Sequence, residues 1–223
     1  YVLRAGIEES LQLAQKARCR RMEEYVSLLR KFREQTGALT VIRVPDAKDF
    51  TEEEAFDYDI GKILIETNGA LSGKKLQEIL LNRCGLQTEM SSGNYVLAMT
   101  SFMDTKEGFE RLAAALKEID AALTGSKKKE IFSPKEIYRQ PEKAMEIDEA
   151  QDGGAECITF SGAEGEVCAD YIYLYPPGIP VIVPGEVFDA QTLDAIQKCQ
   201  KLGLDVEGLP QADRVNVVIS KRN

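Results

Sequence analysis

The sequence predicts an α+β fold in which a long N-terminal helix is followed by two separate units that both mix helices with short strands. Apolar residues keep helical spacing over residues 1–36, and residues 37–125 alternate pairs of strand-like runs with helical stretches in a small α/β layer. A charged stretch with two prolines at 126–150 then separates this layer from a second mixed segment at 151–223. We therefore predict a connecting helix, a small domain, a linker and a C-terminal domain with those bounds.

The composition is that of a globular protein with a packed core, because 43% of the 223 residues are hydrophobic. A formal net charge of −9 argues against a nucleic-acid partner and favours basic small molecules as ligands. No apolar run approaches the roughly 18 to 20 residues that cross a bilayer. We therefore expect neither nucleic acid nor a membrane among the partners.

Cysteine and histidine usage narrows the chemistry further. The chain contains no histidine, which excludes Ser-His-Asp and Cys-His catalysis and imidazole-based zinc sites. The cysteines are odd in number and include no Cys-x-x-Cys pair: Cys19, Cys84, Cys157, Cys168 and Cys199. We interpret them as reduced thiols of a cytoplasmic protein, without catalytic or metal-binding roles.

The first 36 residues are predicted as one helix that ends at Gly37. Its apolar stripe consists of Ile7, Leu11, Ala14, Met22, Tyr25, Leu29 and Phe32. A coiled coil is the alternative, but Ala14 and Arg18 stand where a sustained heptad needs large apolar groups. We therefore prefer a connecting helix that lies along another domain.

The small domain is predicted to begin with a strand at 38–44, a solvated acidic stretch with a short helix at 51–56, and a buried strand at 62–66. Ser72 can cap a helix that runs to Cys84 and stops at Gly85. The loop from Gly69 to Lys75 is glycine-rich, but only three residues separate its glycines and no Ser or Thr follows the lysine. We interpret it as a turn with a Ser72 cap and not as a phosphate-binding loop.

Two further strands, at 86–90 and 95–100, precede a second helix in this domain. Asp104 and Glu107 form a capping-box variant at its start. Its apolar face consists of Phe109, Leu112, Leu116, Ile119 and Leu123, and Gly125 ends it.

The C-terminal domain is predicted from a strand at 156–160, a helix capped by Asp189 and ended by Gly203, and a last strand at 215–219. Between them lies a stiff segment at 171–186, which we call the elbow. Tyrosines alternate with Ile172 and Leu174 in a strand that Pro176 and Pro177 end, because proline donates no backbone hydrogen bond.

The second half of the elbow is predicted as a short strand at 181–183 followed by a turn. Gly178 lets the chain reverse, and the Pro184-Gly185 order is the one that a type II turn requires. The elbow therefore delivers Glu186 to a fixed position.

The elbow sequence, Tyr-Pro-Pro-Gly-Ile-Pro followed by Pro-Gly-Glu, resembles the C-terminal region of the ornithine/lysine/arginine decarboxylases. Its structural motif consists of Pro176, Pro177, Gly178, Pro180, Pro184 and Gly185. A weaker likeness continues upstream through Gly61-Lys62-Ile63-Leu64-Ile65, Leu71-Ser72-Gly73 and Glu89, so that it covers most of the chain. The resemblance implies the aspartate aminotransferase fold type, with residues 37–125 as its small domain and the first helix joining that domain to a large one.

The resemblance also implies a decarboxylase that depends on pyridoxal phosphate (PLP) and acts on arginine, lysine or ornithine. In that family the PLP-bound lysine follows a histidine in the large domain, and a second histidine stacks on the cofactor. Because this chain has no histidine, the resemblance implies no catalytic residue here and a catalytic centre in a large domain outside these residues. Lys62, Lys74 and Lys75 are interpreted as surface lysines. The chain alone is expected to be inactive and to bind no PLP.

What the chain is expected to supply is an active-site wall and an assembly surface of a homodimer or larger homo-oligomer. A fixed carboxylate suits the distal cation of a basic amino acid, so Glu186 and the neighbouring Tyr175 are the candidate substrate-binding residues. An equally open interpretation has Glu186 bind only backbone donors. A second function also stays open, namely a stand-alone binding or regulatory module that keeps the fold without the chemistry.

Overall fold

The computed structural model of the chain describes residues 1–17, 20–51, 53, 56–126 and 134–219. It divides into two compact units, Tyr1–Glu130 and Ile131–Asn223. Each unit combines helices with small antiparallel sheets and has its own apolar core. The predicted α+β class is therefore confirmed. The exact domain and linker bounds remain a prediction.

The first unit contains one three-stranded sheet, a 3-10 turn at Ala47–Asp49 and several helices. In chain order its main elements are α1 (Val2–Ala17), α2 (Arg20–Thr36), β1 (Lys62–Glu66), α3 (Gly73–Cys84), β2 (Met90–Ser92), β3 (Tyr95–Met99) and α4 (Lys106–Leu123). The sheet order is β1-β3-β2 and both pairings are antiparallel, with Lys62 opposite Met99 and Met90 opposite Leu97.

The core of the first unit forms between this sheet and the apolar faces of α2, α3 and α4. Alternate residues of β1 and β3 are buried, as the two-residue period of a strand requires. The fully or almost fully buried side chains include Leu29, Phe32, Ile63, Ile65, Leu76, Leu80, Val96, Phe109, Leu112 and Leu116. The ring centroids of Phe32 and Phe109 lie 6.1 Å apart, which ties α2 to α4.

The predicted N-terminal helix appears as α1 and α2, and residues 18 and 19 lie outside the described residues. Leu29 and Phe32 of α2 are each only 1% exposed and pack in the core of the first unit, against residues that were predicted to belong to the small domain. The apolar side chains of α1 behave differently. Leu3, Ile7 and Leu11 are 78%, 54% and 61% exposed.

The local helix signals of the first unit are mostly confirmed. The Ser72 hydroxyl accepts a hydrogen bond from the N–H of Lys75, and Gly85 ends α3 in the left-handed conformation. The predicted Asp104 cap is wrong by one residue. Thr105 caps α4 by accepting from the N–H of Gly108, because the Asp104 carboxylate already accepts from the N–H of Ser101 at 2.6 Å.

Two other expectations for this unit need correction, and a third lies partly outside the described residues. Residues 38–44 form no strand. Arg43 alone among them makes a β-bridge, with Glu66. The backbone before Arg43 is bound instead by the Asp120 side chain of α4, as described below. The strand predicted at 86–90 begins only at its last residue and continues to Ser92. The helix predicted at 51–56 lies partly outside the described residues.

The second unit contains two small sheets, short helices and a 3-10 turn at Phe160–Gly162. In chain order its main elements are α5 (Pro134–Ile137), α6 (Ile147–Asp152), β4 (Ala155–Thr159), β5 (Ile172–Leu174), β6 (Ile179–Ile182), α7 (Ala190–Lys201), β7 (Val206–Glu207) and β8 (Arg214–Val218). β4 pairs with β8, and the other sheet has the order β6-β5-β7. Part of the stretch predicted as a linker is thus helical.

The core of the second unit gathers the buried faces of β5, β6, α7 and β8. Its members include Ile172, Leu174, Val181, Ile182, Phe188, Leu193, Ile196, Cys199, Val215 and Val217. As predicted, Asp189 caps α7 by accepting a 2.6 Å hydrogen bond from the N–H of Thr192. None of the helices in the described part of the chain combines the length and apolar character needed to cross a lipid bilayer.

Candidate functional site

The elbow is an antiparallel hairpin of β5 and β6 with its tip at residues 175–178. Leu174 lies opposite Ile179 and Tyr173 opposite Pro180, and the ladder is irregular between Ile172 and Tyr173. The N–H of Gly178 closes the tip by donating to the Leu174 carbonyl at 2.7 Å, and Gly178 takes the positive φ that glycine tolerates. Pairing with β7 supports β5 from its other side.

The two ends of this hairpin differ in exposure. Ile172, Leu174, Val181 and Ile182 are at most 3% exposed and anchor the hairpin in the core. At the tip, Tyr175 is 59% exposed and Ile179 is 46% exposed. The elbow therefore presents an aromatic and an aliphatic side chain on a firmly anchored base.

The turn after β6 has the geometry predicted from Pro184-Gly185. The N–H of Glu186 donates to the Val183 carbonyl at 3.2 Å, and Gly185 has a φ of +90°. The Glu186 side chain folds back on the same turn, because its Oε2 accepts a 2.9 Å hydrogen bond from the N–H of Val183. Both the N–H and the carbonyl of Val183 are therefore hydrogen-bonded to Glu186.

This turn also lies between two other chain segments. The Gly185 carbonyl accepts hydrogen bonds from the N–H groups of Ala144 and Met145, and its N–H donates to the Cys168 carbonyl. A Cβ at Gly185 would lie 2.5 Å from the Met145 carbonyl oxygen. Glycine is required here both by its backbone angle and by this close approach.

Glu186 is half-buried, and its backbone carbonyl accepts a 2.8 Å hydrogen bond from the N–H of Cys168. Burial raises the pKa of the Cys168 thiol to about 12, and the nearby charges of Asp170 and Glu186 add to the effect. The thiol donates to the Asp170 carbonyl at 2.9 Å. Cys168 is thus a protonated, structural cysteine next to the candidate carboxylate.

The two candidate substrate-binding residues are not brought together. Tyr175 follows Leu174 at the tip, whereas Glu186 lies beyond Ile182, which pairs with Ile172 at the other end of the hairpin. At about 3.3 Å per residue, the length of β5 alone separates them by roughly 10 Å. The backbone positions of Tyr175 and Glu186 thus lie at opposite ends of the hairpin, and their joint role in substrate binding remains a prediction.

The resemblance seen in the elbow sequence is confirmed by comparison with known families. Residues 126–209 match the family model of the Orn/Lys/Arg decarboxylase C-terminal domain. Residues 126–209 therefore form an Orn/Lys/Arg decarboxylase C-terminal domain. The matched residues cover most of the second unit, including the whole elbow.

Relatives in this family are considerably longer than the chain. It is 27% identical to an arginine decarboxylase of Bacillus anthracis over 84% of its residues, but covers 38% of that protein. It is 31% identical to an arginine decarboxylase of Halalkalibacterium halodurans over 71% of its residues, covering 32% of that relative. Among solved structures, the Francisella novicida lysine decarboxylase is similar with a TM-score of 0.66 and 18% identity, covering 89% of this chain and 40% of that one. At this identity the structural likeness shows the fold alone.

The lysines in the described part of the chain do not fit a covalently bound PLP. A Schiff-base lysine must reach a cofactor held away from water, but no lysine in the described part of the chain is buried. Lys62, Lys74 and Lys75 are all exposed, and Lys75 Nζ lies 2.8 Å from the Glu78 carboxylate. No chemical step is therefore assigned to these lysines.

A cleft of about 740 Å³ in the first unit has a charged lining that includes Arg30, Arg33, Arg43, Asp46 and Asp49. Two of its arginines, Arg33 and Arg43, are engaged within the protein. Arg43 lies 3.5 Å from Asp49, and Arg33 donates to the Pro45 carbonyl at 2.7 Å. These contacts link Arg43 to Asp49 and Arg33 of α2 to Pro45, which is a structural role.

The Arg33 side chain is only 10% exposed and also contacts an aromatic ring. Its guanidinium carbon lies 5.4 Å from the centre of the Tyr58 ring, and its Nη2 donates to the Ile60 carbonyl. Arg33 Nε lies 3.6 Å from an Asp46 oxygen, which is an ion pair but too long for a hydrogen bond.

Asp120 on α4 is a key residue that the sequence analysis missed. Its carboxylate accepts backbone hydrogen bonds from Thr40, Val41 and Ile42, at 3.0, 2.8 and 2.7 Å for the shortest contact of each. Burial alone would raise the pKa of Asp120, but these bonds outweigh it and hold the pKa below its usual value. An aspartate on the apolar face of a helix, four residues after Leu116, was the available sequence signal.

Proposed function

We propose that the chain is the C-terminal portion of a PLP-dependent decarboxylase of basic amino acids, which converts its substrate to the corresponding amine and CO2. The observation that carries this proposal is the family match at 126–209, which includes the elbow. PLP would supply the electron sink for decarboxylation in a large domain outside these residues. The first unit would correspond to the small domain of the aminotransferase fold type.

Arginine is the substrate that we propose first. Both relatives described above are named arginine decarboxylase and are matched over 71% or more of the chain. A relative named lysine decarboxylase, from Pseudomonas aeruginosa, is 43% identical but matched over only 23% of the chain. Lysine and ornithine are therefore the competing substrates in the test. We further propose a cytoplasmic homodimer or larger homo-oligomer.

Within such an enzyme, we propose that the elbow forms part of the active-site wall. Tyr175 is well suited to contact a substrate or a neighbouring domain, because its exposed ring sits on a hairpin with buried anchors. Glu186 already uses part of its acceptor capacity within the turn, because its Oε2 accepts a hydrogen bond from the Val183 N–H. Of the two residues, Tyr175 is the stronger candidate.

The test uses the complete polypeptide from its source cell, assayed for CO2 release from arginine, lysine and ornithine. We expect activity with arginine above the other two, and about a tenfold or greater loss of kcat/KM in Tyr175→Ala. Tyr171→Ala is the matched control, because Tyr171 is 40% exposed but precedes β5 at the other end of the hairpin. Equal losses in both variants would reject the role of the tip.

The 223-residue chain alone is expected to release no CO2 and to form no borohydride-reducible adduct with PLP. If the complete polypeptide contains no PLP-binding domain and shows no activity with any of the three amino acids, the decarboxylase proposal fails. The chain would then act as a binding or regulatory module with the same fold.

A further inference from the structure

β4 is an edge strand with one free side. It pairs with β8 in a two-stranded sheet. Two backbone hydrogen bonds at the ends of β4 show which of its groups face β8, because the Phe160 N–H donates to the Asp213 carbonyl and the Ile219 N–H donates to the Gly154 carbonyl. Backbone groups alternate sides along a strand, so even-numbered residues face β8. The N–H and C=O groups of Ala155, Cys157 and Thr159 therefore point away from it.

This free side lacks the usual protection of an edge strand. β4 contains no proline, no lysine and no bulge, and all of its residues except the half-buried Ile158 are exposed. Among the described residues, the contact made to its outward backbone groups is a long one, 3.4 Å from Arg214 Nη1 to the Cys157 carbonyl. Among the described residues, five of the six outward groups are thus available to another strand, and the long Arg214 contact engages the Cys157 carbonyl only weakly.

The strand is self-complementary in one antiparallel register. With a two-fold axis at Cys157, this residue faces its own copy, Ala155 faces Thr159, and Glu156 faces Ile158 of the second strand. All five residues then pair, and the outward groups form up to six hydrogen bonds. A shift of the axis by one residue to Glu156 would place two carboxylates opposite each other, which is unfavourable.

We propose that β4 is an interface between two copies of this chain, in which the two β4–β8 sheets join into one continuous four-stranded sheet about an axis at Cys157. The occupant is a second copy because the strand complements its own hydrogen-bonding groups in this register and places no like charges opposite each other. This inference does not depend on the decarboxylase proposal. The small area of a five-residue pairing predicts weak association for this contact alone.

The register is tested by cross-linking the 223-residue chain in a background with Cys19→Ser and Cys84→Ser. Cys168 and Cys199 stay, because both are buried with raised pKa values. Cys157 thiols in a hydrogen-bonded pair have Cα atoms about 5.5 Å apart, within disulfide range. We expect rapid dimer formation with copper-phenanthroline or dibromobimane.

The controls carry Cys157→Ser with Ala155→Cys or Thr159→Cys. Each of these alone places its thiols about 13 Å apart in the proposed register and should cross-link at least tenfold more slowly. A mixture of the two variants brings residues 155 and 159 face to face and should restore the fast rate. If Ala155→Cys alone cross-links as fast as Cys157, or if neither Cys157 nor the mixture cross-links, the proposal is wrong.

A disruptive variant tests the same contact without cross-linking. Cys157→Pro removes only an outward N–H, so the β4–β8 ladder and the melting temperature should stay close to those of Cys157→Ser. Its dimer dissociation constant in sedimentation velocity should rise about tenfold or more. If Cys157→Pro does not fold, Cys157→Lys replaces it in the same measurement, because it places two ammonium groups opposite each other across the interface. An unchanged dissociation constant in the folded variant overturns the proposal.

Discussion

The Glu186 carboxylate accepts a hydrogen bond from the backbone N–H of Val183, 2.9 Å away, while the Glu186 N–H donates to the Val183 carbonyl. This reciprocal pair closes the Pro184-Gly185 turn with the same side chain that the sequence suggested for substrate binding. The stiffness of the elbow thus has a local use. Glu186 stabilises the turn whether or not its second oxygen meets a ligand.

We expect Glu186→Ala to lower the free energy of unfolding by about 1.5 to 3 kcal/mol, because a charge-assisted bond to Val183 is lost. Glu186→Gln keeps an acceptor in place and should lose less. Urea unfolding measures both. In the complete enzyme, kcat/KM of the Glu186 variants is measured for a charged substrate and for an uncharged analogue of equal length. This comparison separates substrate binding from stabilisation of the turn. A selective loss with the charged substrate would show that the carboxylate also binds it.

Of the two glycine-to-alanine substitutions in the elbow, Gly185→Ala should be more destabilising than Gly178→Ala. The added Cβ would meet the Met145 carbonyl oxygen at 2.5 Å in addition to the strain at a φ of +90°. Gly165→Ala is the matched control, because Gly165 has a φ of +84° and open space around its Cβ position. The control should cost about 1 to 2 kcal/mol from backbone strain alone.

The comparison uses thermal and urea unfolding of both variants. A clearly larger loss for Gly185→Ala isolates the close approach of the two segments. Equal losses would mean that the Met145 segment moves away without cost, and that the turn is not fixed by its neighbours.

Asp120→Asn should destabilise the first unit by about 1.5 to 3 kcal/mol at neutral pH, because the carboxylate binds the N–H groups of Thr40, Val41 and Ile42. An asparagine has a single acceptor oxygen, and its NH2 group would face one of these donors. Urea unfolding at pH 7 provides the measurement.

The pH dependence gives this prediction a second readout. Because the folded pKa of Asp120 is lowered, its contribution to stability is present above the unfolded value of about 3.9 and is lost as the pH falls through the folded pKa. The stability difference between the wild-type chain and Asp120→Asn should therefore shrink at low pH. A difference that stays constant from pH 7 down to acid unfolding would contradict an ionised Asp120.

The elements that the sequence predicted well carry their signals locally. Ser72 and Gly85 bound α3, and Asp189 begins α7, because a cap acts within a few residues of its own position. Residues 38–44 could not be predicted in this way. Their backbone donors bind Asp120, which is 80 residues away from Thr40 in the chain, so β-like composition alone suggested a strand.

The candidate site shows the same limit. The turn at Pro184-Gly185 was predictable from residue types, but the direction of the Glu186 side chain depends on which donor it meets. Local sequence left both interpretations open. The distance between Tyr175 and Glu186 depends on the pairing of β5 with β6, which places them at opposite ends of the hairpin.

Thiol reactivity should separate the cysteines of the second unit. Cys157 is exposed, whereas Cys168 and Cys199 are buried and burial raises their pKa values to about 12 and about 11. At pH 8 we expect iodoacetamide to modify Cys157 first. Mass spectrometry of the digested protein measures the labelling rate of each cysteine-containing peptide. Labelling in guanidinium should make the three rates similar. Fast native labelling of Cys168 would show that the core around the elbow opens readily.

The exposed apolar stripe of α1 should control the solution behaviour of the chain. Leu3, Ile7 and Leu11 follow one another at four-residue spacing, so they lie on one side of the helix. Such a continuous exposed stripe favours association with itself or with another apolar surface. We expect the chain to bind an apolar dye and to associate at high concentration.

Replacing all three residues by glutamine should reduce dye binding and shift sedimentation toward the monomer, because glutamine removes the apolar surface but keeps a good helix propensity. The matched control replaces Ala5, Glu9 and Lys16 on the other side of α1 by glutamine, which changes the polar face and leaves the stripe intact. The control should behave like the wild-type chain. Association through β4 is distinguished by repeating both measurements with Cys157→Pro. If the wild-type chain is a monomer without dye binding, or if the two triple variants behave alike, then the stripe has no role in association and α1 is simply a solvated helix.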